Sequence, residues 1–226
     1  MKTIYLIRHS APFIEIDNYS DYKNVSWDDY NRNMILSSEG EEKAKKLCDI
    51  SQLNNIDAIY SSDSYRAIGT AKYLAEKNNL KIKLDKRIDE RKLGCDKVSE
   101  LPDNFSANSF KNKDLKFKTG ESLNDVDKRF QEFLNEMLNG KAHKIVLVIH
   151  GMILMSYLQT MCNFEFNGNT FNITFNNKEV INRRFNNPDV FKIDYDDSNQ
   201  VIDITNIEIR YFSTRYRKAI CEKCRF

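Results

Sequence analysis

The sequence predicts an α/β fold in which a mostly parallel central sheet lies between helical layers, a three-layer α/β/α arrangement. Two observations carry this. As far as about residue 161, short apolar runs alternate with segments whose apolar residues recur at helical spacing. That is the pattern of strand–helix–strand units, which cover both faces of a parallel sheet with helices. From Thr170 onward the runs are closely spaced and alternate in polarity, as expected of antiparallel strands added at an edge.

The elements follow in order. Thr3 to Ile7 reads as a buried strand. Residues 10–35 are aromatic-rich, with Phe13, Tyr19, Tyr22, Trp27 and Tyr30, but have no period and read as an irregular insertion. Ser38 and Glu41 have capping-box spacing, which predicts a helix from about Glu39 to Ile50 with Ala44, Leu47 and Cys48 inward. Ile56 to Tyr60 is a second strand, followed by Ser61-Ser62 and a helix from about Ser64 to Lys77 that turns Ala67, Ala71 and Leu74 inward. Lys81 to Leu84 is a short third strand, and the polar, Lys-rich stretch 95–118 reads as a loop or mobile insertion. Ser122 caps a helix running to about Leu138, with Gly140 past its end. Its Leu123, Val126, Phe130, Phe133, Leu134, Met137 and Leu138 share one face. Lys144 to Ile149 is the most hydrophobic strand, and Met152 to Met161 a buried helix after it. Strands at Phe171–Phe175, Glu179–Phe185, Val190–Tyr195 and Val201–Ile209 complete the chain, with Asn176-Asn177 as a hairpin turn. With no internal repeat or low-complexity linker, residues 1–226 form one domain with insertions at about 10–35 and 95–118.

Composition narrows the function. Of 226 residues, 41% are hydrophobic and 30% charged, which is enough for a core and unlike a disordered chain. The formal net charge of +2, from 35 basic and 33 acidic residues, argues against a nucleic-acid coat or a membrane-surface protein, so any anion site must come from local placement of charge. No apolar run approaches the ~20 residues of a membrane span. Ile4 to Ile7 is too short for a signal-peptide core. Five cysteines, an odd number, fit a reducing compartment, and a cytoplasmic location is expected. Cys221 and Cys224, a lone pair near the C-terminus, do not make a metal or redox motif. No sequence feature specifies an oligomeric state.

Two of the three histidines share a context. His9 follows the first strand and His150 follows Ile145 to Ile149, each at the carboxyl end of a strand predicted to be central. Ligands of open α/β sheets bind at that edge. A third strand ends at Ser61-Ser62 and feeds a helix whose first turn carries Arg66. Arg8 adds a second guanidinium. A cation in a first helical turn opposes the helix dipole and calls for a compensating anion. Guanidinium forks match phosphate oxygens and stay charged, while a neutral imidazole can attack phosphorus. Such a cluster can transfer a phosphoryl group without a metal. The leaving oxygen needs a proton, and a carboxyl beside bound phosphate is favoured in its protonated form. In Arg87 to Gly94 the strongest candidate donor is Glu90, with Asp89 nearly as plausible. His143 reads as solvent-facing, and Arg129 as an ion-pair partner or part of a solvated face.

At these residues the chain resembles the histidine phosphatase (phosphoglycerate mutase-like) superfamily. LIRHSAP at 6–12 is similar to its opening signature, SSDSYRAIGTA at 61–71 to its Ser-Ser-x-x-x-Arg-Ala block, and DERKLG at 89–94 to its acid/base block. GESLNDVDKRF at 120–130 resembles its Gly-Glu-Ser segment, and VIHGM at 148–152 its second-histidine block. The resemblance implies a phosphohistidine mechanism with His9, Glu90 and His150 catalytic. It implies phosphate binding by Arg8 and Arg66 and neither metal nor cofactor; Ser10, not given by the resemblance, could donate a further hydrogen bond to phosphate. One departure is Ser10-Ala11-Pro12, where the family continues with glycine and polar residues; Ala11 has no hydrogen bond to offer. The expected function is hydrolysis of a small phosphorylated metabolite. Sugar phosphates, nucleotides, phosphoamino acids and cofactor precursors all fit. A mutase is the first alternative, but the surroundings of Trp27 do not match the Trp-containing segment of mutases, and the β-rich tail is similar to the phosphatase branch. A catalytically silent phospho-ligand-binding member is the second.

Overall fold

The computed structural model describes residues 1–13 and 25–209. Tyr19, Tyr22 and the Cys221/Cys224 pair lie outside these residues. Six strands form the central sheet in the order β3-β2-β4-β1-β8-β9. β1 (Lys2–Arg8), β2 (Ala58–Ser61), β3 (Ile82–Leu84) and β4 (Lys144–Ile149) are mutually parallel, while β8 (Asp189–Tyr195) and β9 (Val201–Ile207) add antiparallel at one side. β4 therefore sits between β2 and β1.

Side chains on adjacent strand positions point to opposite faces. Ile4, Leu6, Ile145, Leu147 and Ile149 pack on one face, under α5 (Leu123–Asn139) and α6 (Gly151–Met161). Tyr5, Ile7, Val146 and Val148 pack on the other, under α2 (Ser38–Lys46) and α3 (Tyr65–Lys77). This is the three-layer architecture the alternation predicts. α5 follows its sequence closely. The Ser122 hydroxyl accepts the Asp125 amide, the Asp125 carboxylate accepts the Ser122 amide, and all seven predicted inward residues are buried. The turn at Asn176-Asn177 has both residues at positive φ, 49° and 62°, as a type I′ hairpin requires.

Several expectations are corrected. The segment 10–35 contains a helix, α1 (Trp27–Asn33), capped by Ser26. The cap of α2 is Ser37, whose hydroxyl accepts the Gly40 amide, not Ser38, and the helix ends at Lys46 before a 3-10 turn. Within 95–118 lie a 3-10 turn, Val98–Glu100, and a helix, α4 (Phe105–Lys111). The later strands do not all join the main sheet. β5 (Asn163–Phe166), which the sequence did not suggest, pairs with β6 (Phe171–Phe175) and β7 (Lys178–Arg183) as a separate antiparallel sheet that packs beside α6. The aromatic residues Phe164, Phe166 and Phe171 hold that sheet to the core, with the Phe166 and Phe171 rings stacked at 4.5 Å.

Candidate active site

The sheet register delivers the site. Arg8 is level with Ile149 across β1 and β4, and Ser61 with Val148 across β2 and β4. The next residue of each strand therefore leaves the sheet on the same rim. The pairing carries on one residue further, since the His9 amide donates to the Ile149 carbonyl at 2.9 Å and the Ser62 amide to the Val148 carbonyl at 3.2 Å. His9, Ser62 and His150 thus converge on one rim of the sheet. The two imidazole rings stand 5.1 Å apart.

His9 is buried. Its Nδ1 lies 2.8 Å from the Ser10 carbonyl oxygen, a pure acceptor, so Nδ1 carries the hydrogen. Nε2 is left with its lone pair, and Arg66 Nε donates to it at 3.1 Å. Burial first, and then the positive charges of Arg66 and Arg8, hold the His9 pKa well below its usual 6.5 against the opposing pull of the Ser10 carbonyl. The ring is therefore neutral at pH 7. The Asn187 side-chain amide holds the His9 carbonyl at 2.9 Å.

Arg66 projects from the first turn of α3 and is 2% exposed. Besides His9 it donates through Nη2 to His150 Nδ1 at 3.0 Å, and through Nη1 to Ser64 Oγ at 3.0 Å and to the Asn31 carbonyl of α1. Burial pushes its pKa down to about 10, and it stays charged at neutral pH. Among the described residues no carboxylate is bonded to it. A buried cation with this arrangement is suited to an anionic ligand.

His150 is fully buried, and burial and Arg66 together keep it neutral, well below 6.5. Since Nδ1 accepts from Arg66, Nε2 carries the hydrogen and donates to Ser62 Oγ at 2.7 Å. Ser62 Oγ also accepts the Ser64 amide at 3.1 Å and is hydrogen-bonded to the Asp89 carboxyl group. A chain therefore runs from Arg66 through His150 and Ser62 to Asp89. Burial raises the Asp89 pKa, against hydrogen bonds from the Asp63 amide and Ser62.

Asp89 and Glu90, adjacent in sequence, are separated in space. Asp89 backs onto Ser62. Glu90 accepts the Met152 amide at 3.1 Å in the first turn of α6, where the helix dipole favours a carboxylate, and its charge is felt by both Arg8 and Arg66. Arg129 fixes that loop, donating to the Arg87 and Glu90 carbonyls while paired to Glu121. Arg8 donates through Nη1 to the carbonyls of Phe185 and Asn186, and its guanidinium lies over Gly151. Its Nε is buried and has no partner among the described residues.

Ser10 is not brought to the cluster. It is fully buried, its hydroxyl donates to the Gly40 carbonyl at 2.7 Å, and its amide donates to Thr70 Oγ1. It anchors the loop after His9 to α2 and α3. His143 is exposed, as expected. Ser62, Asn31 and Asn187 were not singled out, since a lone serine or asparagine in a loop carries no periodic signal. The Ser-Ser pair at the end of β2 was the only trace of Ser62's position. Among the described residues no cluster of three or more His, Cys, Asp or Glu is placed to hold a metal ion. No helix there is long and apolar enough to cross a membrane.

Comparison with known proteins gives a consistent picture. The sequence model described as histidine phosphatase superfamily (branch 1) matches residues 4–197. A curated protein, phosphoserine phosphatase 1 of Hydrogenobacter thermophilus, is 29% identical over 127 residues, or 53% of this chain; the match spans 60% of that relative's length. Mycobacterial glucosyl-3-phosphoglycerate phosphatase in complex with inorganic phosphate superposes with a TM-score of 0.66 at 18% identity, covering 92% of this chain and 99% of that one. Phosphoserine phosphatase from Entamoeba histolytica in complex with phosphoserine gives 0.60 at 17% identity, covering 91% and 97%.

Proposed function

The chain belongs to the histidine phosphatase superfamily, branch 1, and we propose that it hydrolyses phosphomonoesters of small metabolites through a phosphohistidine at His9. The observation that carries this is the tautomer of His9. Its Nδ1–H is tied to the Ser10 carbonyl, leaving an Nε2 lone pair beside the buried charge of Arg66. That is a nucleophile held next to an anion site.

In this reading the phosphoryl oxygens take over the donors of Arg66 and Arg8. His9 Nε2 attacks phosphorus as the bond to the ester oxygen breaks, and Glu90 passes its proton to that oxygen. His150 Nδ1, released from Arg66, takes the proton that the substrate's phosphate brings in, donates a hydrogen bond to the transferring group and returns the proton to the departing phosphate, with Ser62 and Asp89 stabilising the imidazolium from behind. Water then attacks the phosphohistidine while the Glu90 carboxylate accepts its proton, and phosphate leaves with the lone pair of Nε2 restored. Each step uses side chains alone. The relatives named for phosphoserine and glucosyl-3-phosphoglycerate support a small phosphorylated substrate. A cytoplasmic location fits the free thiols of Cys48, Cys95 and Cys162.

The test is phosphate release in the presence of a chelator. Wild type should turn over, and His9→Ala should lose at least about 10³-fold in kcat, as loss of a nucleophile does elsewhere. Quenching into alkaline denaturant should trap the labelled phosphoryl group on His9, since the phosphorus–nitrogen bond is stable in base and hydrolyses in acid. Interconversion of phosphoglycerates faster than phosphate release would instead establish a mutase.

A further inference from the structure

Two cavities meet the cluster, and they differ in chemistry. Arg66, His150 and Glu90 line one of about 170 Å³, whose walls also carry Asp28, Asp29, Asp63 and Asp89. Arg8 and Met152 line the other, a groove of about 820 Å³ walled by the insertion, α6 and the second sheet. The first has room for a phosphoryl group and a few waters, at ~30 Å³ per water, and its carboxylates are matched by Arg32, Lys86, Arg91 and Lys92 on the same walls. The second has the size and apolar lining of a pocket for an organic ligand.

The groove surface is mainly the half-buried faces of Leu101, Phe110, Met152, Met155 and Phe166, with Phe171 behind them. The aromatic wall is rigid. The Phe110 ring lies 5.6 Å from Phe166 and 5.9 Å from Phe171, which in turn packs on Phe185 at 4.9 Å. The groove joins the chemistry at two points. Arg8 belongs to its wall, and Met152, whose side chain lines it, has its amide held by Glu90. An ester oxygen between Arg8 and Glu90 therefore has its carbon at the groove.

On this basis, and resting on the hydrolase reading above, we infer that the groove binds the alcohol part of the substrate, and that this part is bulky and aromatic. The preferred substrates are phosphomonoesters of aromatic-bearing alcohols, in place of esters of small polar alcohols.

The experiment compares ethyl phosphate with 2-phenylethyl phosphate. Their alcohols have nearly the same acidity, so leaving-group chemistry does not favour either, as it would for a phenol ester. In wild type kcat/KM should rise at least about tenfold from ethyl to 2-phenylethyl, the effect of burying one ring. Met155→Glu or, from β5, Phe166→Glu should bring that ratio close to one by placing a charge in the groove. A wild-type ratio near one, with both esters readily hydrolysed, would overturn the inference and leave the hydrolase reading intact. A ratio that stays high in both variants would overturn the assignment to this groove. If neither ester releases phosphate, the hydrolase reading fails and takes the inference with it.

Discussion

At the residue scale, the two neighbouring carboxylates are the sharpest contrast. By sequence Glu90 is the strongest proton-donor candidate and Asp89 nearly as plausible, because both lie in one charged, aperiodic stretch. Only their opposite directions separate them, Glu90 toward Met152, Arg8 and Arg66, and Asp89 toward Ser62 and Asp63. Kinetics should separate them as well. Glu90→Gln should lower kcat by about 10²–10⁴-fold for an alkyl phosphate, but far less for 4-nitrophenyl phosphate, whose leaving group needs no proton. Asp89→Asn should lower kcat about tenfold for both esters alike, the worth of one charge-supported hydrogen bond. It acts through His150 on the phosphoryl group, not on the leaving oxygen. An ester-dependent loss in Asp89→Asn and a uniform one in Glu90→Gln would reverse the two roles. His9, Arg66 and His150 were legible because strand ends are legible. Ser10 was placed correctly in the loop but misread in role, because sequence does not reveal that Gly40 stands opposite its hydroxyl.

At the element scale, length decided what could be read. α5 has 17 residues and seven buried positions, enough to display a period. α1 and α4 have seven residues each; α1 buries none of its side chains, so no apolar stripe marks it. Both are fixed by polar contacts from distant parts of the chain. Asp28 of α1 accepts the Leu93 and Gly94 amides, and buried Arg91 donates to Ser109 of α4, to the Leu115 carbonyl and to the Glu121 carbonyl. The second sheet was misplaced because alternation marks a strand but not its partner. α2 makes a testable contact: a Cβ on Gly40 would stand 2.0 Å from the Ala11 carbonyl oxygen. Backbone cannot yield as a side-chain tip can. Gly40→Ala should therefore cost about 1–3 kcal/mol of stability by chemical denaturation. It should also lower kcat, because the loop it pushes carries Ser10 and the carbonyl that sets the His9 tautomer. Unchanged kcat and stability would show that the loop has slack.

For the whole molecule, two neutral buried histidines set a pH dependence. Folded, both titrate well below 6.5; unfolded, both titrate near it. Below about pH 6.5 the unfolded chain takes up protons that the folded chain refuses, so stability is full above that pH and declines beneath it. The slope is at most about 2.7 kcal/mol per pH unit for the two rings. The melting temperature should fall between pH 7 and pH 5.5, and the His9→Gln, His150→Gln double variant should flatten that part of the curve. An equally steep decline in the double variant would assign it to other groups. The contact between Arg66 and the Asn31 carbonyl matters at the other end of the catalytic cycle. α1 carries a tethered oxygen on the Arg66 guanidinium, which on the proposed mechanism the phosphoryl oxygens displace. When the product departs, that carbonyl refills the guanidinium at once, so release never leaves a bare buried cation. On the proposed mechanism this carbonyl competes with product phosphate for the guanidinium, so inhibition by added phosphate should be weak.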